Sequence, residues 1–322
     1  MPDPLRRRYA GRPRALAVTP AAGAAVMSSA ILSVALQIDG VELLSRALLA
    51  VAILQWLVLA AVFLDRLVTE RATWRADADA PPALTSVAAT AVIGARFALL
   101  GDAALGWALL VASAALWLLL TPLVLGGLRS WHEGAAFLSC VATQGLAVLL
   151  ATLARPGPLH AVTTVGFVLF ALGLYLVVLS NFDWHQLAVG AGDHWVLAGA
   201  LAISSLAGAK LILAQRVLGT ARLGAALTAL DLTLWSLSVL AYGVLVVAEI
   251  RSPRLRYDVR RWATVFPLGM TAAATYAVAQ AEGLPGLRLV GDVLVWPAFL
   301  AWALTAYGAC AQVRRARGSG GR

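Results

Sequence analysis

Apolar residues along this chain come in runs of roughly twenty, the length an α-helix needs to cross the hydrocarbon of a bilayer. The runs recur from end to end with short polar breaks between them. The pattern predicts ten membrane helices, at about 17–36, 47–64, 83–100, 103–126, 135–154, 161–180, 195–214, 224–249, 261–281 and 289–312. The longest breaks, 65–82, 181–194 and 250–260, leave no room for a soluble domain. The expected organisation is a cytoplasmic tail over 1–16, a ten-helix membrane domain over 17–313, and a second cytoplasmic tail over 314–322. The first run follows an Arg-rich start and has small residues near Ala21 to Ala25, as a secretory signal would. It continues to Leu36, beyond the usual apolar region of a signal, and is read as a retained helix.

The runs are of two alternating kinds. Odd-numbered ones are rich in small and hydroxyl residues, whereas even-numbered ones are rich in Leu and Val and hold most of the membrane tryptophans, as in "LLAVAILQWLVLAAVFL". Bulky apolar surface suits lipid, and small residues let backbones approach closely in a bundle interior. The fold class expected is therefore all-α integral membrane, built as five helical hairpins with five inner helices around a central pore and five outer ones. Candidate pore-lining residues are Ser28, Ser29, Thr90, Gly94, Thr143, Ser204, Ser205, Gly208 and Gly269. The competing reading is a solid bundle in which the small residues only pack.

Composition strengthens the membrane reading, since 61% of the 322 residues are hydrophobic, 13% are charged and the mean hydropathy is +0.83. Soluble domains carry about twice that charged share. The basic residues give the orientation. With a cytoplasmic N-terminus, the inner side collects Arg6, Arg7, Arg8, Arg12, Arg14, Arg66, Arg71, Arg75, Arg129, Arg251, Arg254, Arg256, Arg260, Arg261, Arg314, Arg315, Arg317 and Arg322. The outer side receives Arg46, Arg155, Arg216, Arg222 and Arg288. This is the positive-inside asymmetry, and an even number of spans puts both termini in the cytoplasm. The net charge of +9 is thus mostly topology. No basic module interleaved with aromatics and no Gly-rich phosphate loop points to nucleic acid. Cys140 and Cys310 lie within predicted spans and read as packing residues.

Two cations within the spans bear on function. Arg96 and Lys210 sit near the outer ends of the third and seventh runs, where they either snorkel to the interface or give a pore mouth a positive potential that concentrates anions. Asp231, at similar depth in the eighth run, is an alternative ion-pair partner for Lys210.

"RYDVRRWATVFPLGMTAAATYAVA" resembles the ninth-helix signature of the tellurite-resistance and dicarboxylate transporter family, which also includes the slow-type anion channels of plant guard cells. "DHWVLAGALAISSLAGAKL", "VATQGLAVL" and more loosely "VMSSAILSVAL" extend the resemblance to the seventh, fifth and first helices. The first departs from the family pattern, with Met27, Ser28, Ser29 and Ala30 where a Met-Gly-Thr-Gly-like stretch is expected. The resemblance implies a homotrimer of ten-helix protomers, each with its own pore, and a ninth-helix phenylalanine that blocks the pore as a gate. Phe266 matches that position, and Pro267 beside it removes a backbone hydrogen bond and bends the helix. On a straight wheel Phe266 shares a face with Gly269, Met270 and Ala273, while Thr264, Leu268, Thr271 and Thr275 form a competing face. Arg260, Arg261 and Trp262 read as an interface anchor at the start of this helix.

His132 with Glu133, Asp183 with His185, and Asp193 with His194 fall in predicted cytoplasmic loops without a metal-ligand spacing. No nucleophile, base and orienting acid converge, so no enzyme, metal or cofactor is expected. The function expected is a membrane anion channel or transporter for tellurite, sulfite, C4-dicarboxylates or small inorganic anions. The alternatives are a proton-coupled dicarboxylate or sulfite carrier, a membrane-embedded enzyme acting on a lipid-linked substrate, or a non-transporting sensor or scaffold. Near-exclusive use of Arg over Lys, with heavy Ala and Leu, suggests a GC-rich genome and a bacterial cytoplasmic membrane.

Overall fold

A computed structural model of the chain describes residues 19–127, 132–153, 158–218, 224–254 and 256–319. The tail over 1–16 and Arg129, Arg155, Arg222 and Arg322, which carry part of the orientation argument, lie outside the described residues. The long helices are α1 (Gly23–Asp39), α2 (Glu42–Thr69), α3 (Thr85–Leu99), α4 (Ala103–Gly126) and α5 (Leu138–Thr152). They continue as α6 (Pro158–Asn181), α7 (Val196–Leu218), α8 (Gly224–Arg251), α9 (Trp262–Glu282) and α10 (Pro285–Ser319). Among the described residues nine helical segments are long and apolar enough to cross a membrane. The tenth long helix, α9, has the length at 21 residues but is diluted by Thr264, Pro267, Thr271, Thr275 and Tyr276.

Burial sorts the helices by parity. From Trp262 to Ala281 α9 is almost continuously buried, as are most of α1, α3, α5 and α7. In contrast α2, α4, α6, α8 and α10 turn Leu54, Leu118, Leu169, Leu240 and Leu300 outward. The buried helices pack in cyclic order: α1 on α3, α3 on α5, α5 on α7, α7 on α9, and α9 back on α1. Each exposed helix packs on its preceding buried partner and also touches the next one round, with α10 reaching α1.

Indole N–H groups secure those second contacts. Trp56 of α2 donates to Thr90 Oγ1 of α3 at 2.8 Å, and Trp117 of α4 to Thr143 Oγ1 of α5 at 2.9 Å. Trp235 of α8 donates to Thr275 Oγ1 of α9 at 3.0 Å, and Trp302 of α10 to Ser29 Oγ of α1 at 2.9 Å. An indole N–H in hydrocarbon finds no water, so a neighbouring hydroxyl is its natural acceptor. The fifth place in this series differs: α6 has no tryptophan, and Ser204 of α7 accepts instead from Gln144 Nε2 of α5 at 3.0 Å.

The helix ends depart from the predicted ones in a regular way. Every buried helix is entered through a 3₁₀ turn, at Pro20–Ala22, Pro81–Leu84, Gly134–Phe137, Asp193–Trp195 and Val259–Arg261. The prolines suit such starts because the first turn has no use for their missing N–H. The predicted break at 65–82 is mostly ordered, since α2 runs on to Thr69 and a short helix, Arg71–Ala78, follows. At the opposite ends Gly40, with φ of 95°, and Gly283, with φ of 68°, close α1 and α9 in the left-handed region. Trp262 is not an interface residue. It is 4% exposed, its ring meets that of Trp302 edge to face at 6.3 Å, and its carbonyl accepts from Ser28 Oγ. Cys140 is buried as expected, but Cys310 is exposed on α10.

Candidate functional site

The ring of buried helices encloses two cavities. The first, of about 550 Å³, lies where the helices begin, against Ala24 and Met27 of α1, Thr85 of α3, Leu138 of α5, Val196 of α7 and Ala263 and Phe266 of α9. The second, of about 50 Å³, lies in the far half of the ring. Its walls are Ile31, Val34, Ala91, Val92, Val148, Ile203, Leu206, Met270 and Ala273, with Lys210, Thr152, Tyr276 and Gln280 as the polar members. Phe266 borders the first cavity and Met270, one turn on, borders the second. The phenylalanine therefore stands between them, 1% exposed.

Its position depends on α7. A Cβ on Gly199 would lie 2.8 Å from Pro267 Cγ and 3.3 Å from Phe266 Cε1, so only glycine lets α7 and α9 close on each other here. Of the two faces of α9 that a helical wheel leaves open, the one carrying Phe266, Met270 and Ala273 meets the cavities. The other is engaged by neighbours, for example Thr275 by Trp235. Gly269 has the alternative role of admitting Ile31 and Leu32 of α1, at 3.0 and 3.3 Å from its would-be Cβ.

None of the nine residues expected to line a pore borders either cavity. Ser28 bonds the carbonyls of Ala24 and Trp262. Ser29, Thr90 and Thr143 accept indole N–H groups, and Ser204 accepts from Gln144. Ser205 donates to Asp231 Oδ1 at 2.9 Å, and Gly208 packs against the same carboxylate. Gly94 lies against Leu109 and Leu149. Hydroxyls in a dry bundle are drawn to other polar groups, so they turn toward the walls between helices and leave aliphatic side chains to face the lumen.

The two cations part company. Lys210 faces the second cavity, and among the described residues it makes no ion pair; Asp231 lies on the opposite side of α7, against Ser205 and Gly208. Arg96 borders neither cavity. Its guanidinium is fully buried between α1, α2 and α3, donating to Ser33 Oγ at 3.0 Å and Ser45 Oγ at 2.9 Å, with Glu42 at 3.8 Å. Arg96→Ala should therefore act on stability rather than conduction. It removes the guanidinium from two buried hydroxyls, leaving them their 3.3 Å contact with each other and the Ser45 bond to the Ser33 carbonyl, at a cost of about 2 kcal/mol, while Glu42 keeps Arg46. The check is thermal denaturation in detergent alongside ion selectivity, with the melting temperature falling and the selectivity unchanged.

The first cavity has an electrostatic character that sequence reading missed. The N-terminal turns of all five buried helices border it, and helix N-termini carry partial positive charge. Carboxylates stand among them: Asp77, Asp79, Glu133, Asp193 and Asp258. Asp77 is paired with Arg66 at 2.7 Å, and Asp258 accepts from the Arg260 backbone N–H at 2.8 Å as the cap of its turn. The proline, glycine or aspartate ahead of each odd-numbered run was the visible signal. Among the loop pairs, His132 Nδ1 meets the Asn181 carbonyl at 2.8 Å, and His194 is a fully buried residue at the start of α7 rather than a loop residue. Among the described residues no three His, Cys, Asp or Glu side chains are grouped to hold a metal.

A family model described as voltage-dependent anion channel matches residues 17–310. Two membrane proteins of uncharacterized function, from two strains of Mycobacterium tuberculosis, are each 31% identical to the chain over 118 residues, 35% of its length. The match spans 59% of the length of these curated relatives.

Proposed function

Since the chain belongs to the voltage-dependent anion channel family, we propose that it is an anion channel of a bacterial cytoplasmic membrane, with both termini in the cytoplasm and α9 as the tenth span. The five buried helices surround the conduction path, the five exposed ones face lipid or neighbouring protomers of a homotrimer, and the first cavity is the cytoplasmic vestibule. Phe266 is the gate, standing between vestibule and outer cavity. The observation that carries the reading is the outer cavity, which has one lysine, no carboxylate and otherwise mostly aliphatic walls. Such a lumen favours anions over cations. Its small size favours chloride or nitrate over tellurite, sulfite or C4-dicarboxylates.

A proton-coupled carrier commonly uses a carboxylate within the membrane part of the path; the outer cavity has none, and Asp231 stands behind the wall of α7. Uncoupled permeation is the expected mode. The test is flux from purified protein in liposomes, with chloride, nitrate, sulfite and malate presented at equal reconstitution, with and without a pH gradient. Downhill chloride and nitrate flux that ignores the pH gradient is expected. Uphill accumulation driven by protons would establish the carrier, and no flux of any anion would count for a sensor or an enzyme.

A further inference from the structure

Outside the ring, a groove of about 310 Å³ opens between α2 and α4 and reaches back to α1 and α3. Its walls are apolar, formed by Val26, Leu59, Phe63, Ala89, Ala112 and Leu116 among others. We propose that this groove holds an acyl chain of a phospholipid whose ester or phosphate oxygens accept hydrogen bonds from Trp74 Nε1 and Thr19 Oγ1.

Length is the first argument. Along α2 the groove extends from Arg66 to Trp56, ten residues or about 15 Å of helix. That is half of the roughly 30 Å hydrocarbon core, the depth of one leaflet. Polar groups at one end supply the second. Trp74 Nε1 and Thr19 Oγ1 are both buried, and among the described residues neither has a hydrogen-bond partner. Two unpaired donors in an apolar surround are costly unless something outside the chain accepts from them. Both residues line the groove, and Trp74 comes from the short helix that Asp77 ties to the Arg66 end of α2, the end where a lipid would carry its oxygens.

Charge on this segment is mixed, with Asp65, Glu70 and Asp79 beside the arginines, but two cations are near enough to Trp74 in sequence to meet a phosphate. The short helix Arg71–Ala78 that supplies Trp74 also presents Arg71 and Arg75 on its exposed side, whereas Arg66 below is already paired with Asp77. The surface is continuous with the bilayer, because Leu57, Val58, Leu64 and Val68 of α2 are exposed beside the groove. The inference requires the protein to lie in a membrane and does not depend on which solute it conducts.

The site also adjoins the conduction path. Thr19, Pro20, Asp77 and Thr85 border both the groove and the first cavity. A bound chain thus supports the partition from behind, and its loss lets that partition move.

Native mass spectrometry of the detergent-purified protein, titrated with dioleoyl-phosphatidylglycerol and dioleoyl-phosphatidylcholine, tests this. The wild type should retain one phospholipid per protomer after loosely held lipid is stripped, with the phosphatidylglycerol bound more tightly. Ala60→Phe fills the groove and should weaken retention at least tenfold; Trp74→Phe keeps the ring, loses the N–H and should weaken it several-fold. If Ala60→Phe fails to fold, as judged by thermal melting, Ala112→Leu fills the groove from α4 instead. Unchanged retention in the filled variants overturns the proposal. So does a fall in oligomer mass with the lipid count intact, which would make a second copy of the chain the occupant.

Discussion

Phe266→Ala should raise chloride flux in proteoliposomes by about 10- to 100-fold over wild type. On the proposed reading the ring stands between the first cavity, of about 550 Å³, and the second, and it is 1% exposed. An anion crossing this point must lose water beside an apolar face, which is how hydrophobic constrictions close a pore. Removing about 1.4 to 2.8 kcal/mol from that barrier yields the stated range. The substitution also removes a buried aromatic, which in a soluble core costs about 3 to 5 kcal/mol. Melting temperature and flux must therefore be read together. Phe266→Leu, which keeps most of the bulk, should fall between the two in flux with a smaller loss of stability. A Phe266→Ala protein that folds, reconstitutes and conducts no faster than wild type would remove the gate from this position.

Lys210→Glu is the second large effect, with chloride flux falling about 100-fold and the reversal potential in a salt gradient moving toward that of the cation. Lys210 borders the small second cavity with no ion-pair partner among the described residues, since Asp231 lies behind α7 and Arg96 is sequestered by Ser33, Ser45 and Glu42. A unit charge at 4 Å is worth about 4 kcal/mol at an effective dielectric of 20, so reversing its sign changes the energy of a passing anion by more than a factor-of-100 effect requires. Lys210→Arg keeps the charge and should keep the selectivity. Planar-bilayer recordings under a potassium chloride gradient distinguish these outcomes, and unchanged selectivity in Lys210→Glu would place the anion path elsewhere.

How far the sequence could be read differs by feature. Alternation between small-residue and leucine-rich runs was visible because burial acts on whole helices, and it matches the division between the α9 and α2 types. The direction of individual hydroxyls was not. Thr90 and Thr143 each bond a carbonyl four residues back and accept an indole N–H from the next helix, choices that depend on which helix is the neighbour. The recurrence of Trp56, Trp117, Trp235 and Trp302 in the leucine-rich runs was the trace of those bonds in the primary structure. Arg96 and Lys210 were equivalent by depth and helix type. They are separated by Ser33, Ser45 and Glu42, which come from two other helices and have no sequence relation to Arg96.

The circle of indole bonds has a consequence for how the molecule is made. Ser29 and Trp302 are 273 residues apart, so one of the earliest helices to leave the ribosome waits for one of the last. Until α10 is inserted, α9 can close the inner ring on α1, but the outer layer is an open arc, with the flank of α1 that carries Ser29 facing lipid or a chaperone. A transcript cut short before Trp302 leaves the outer layer without its closing stave, however well the four preceding hairpins fold.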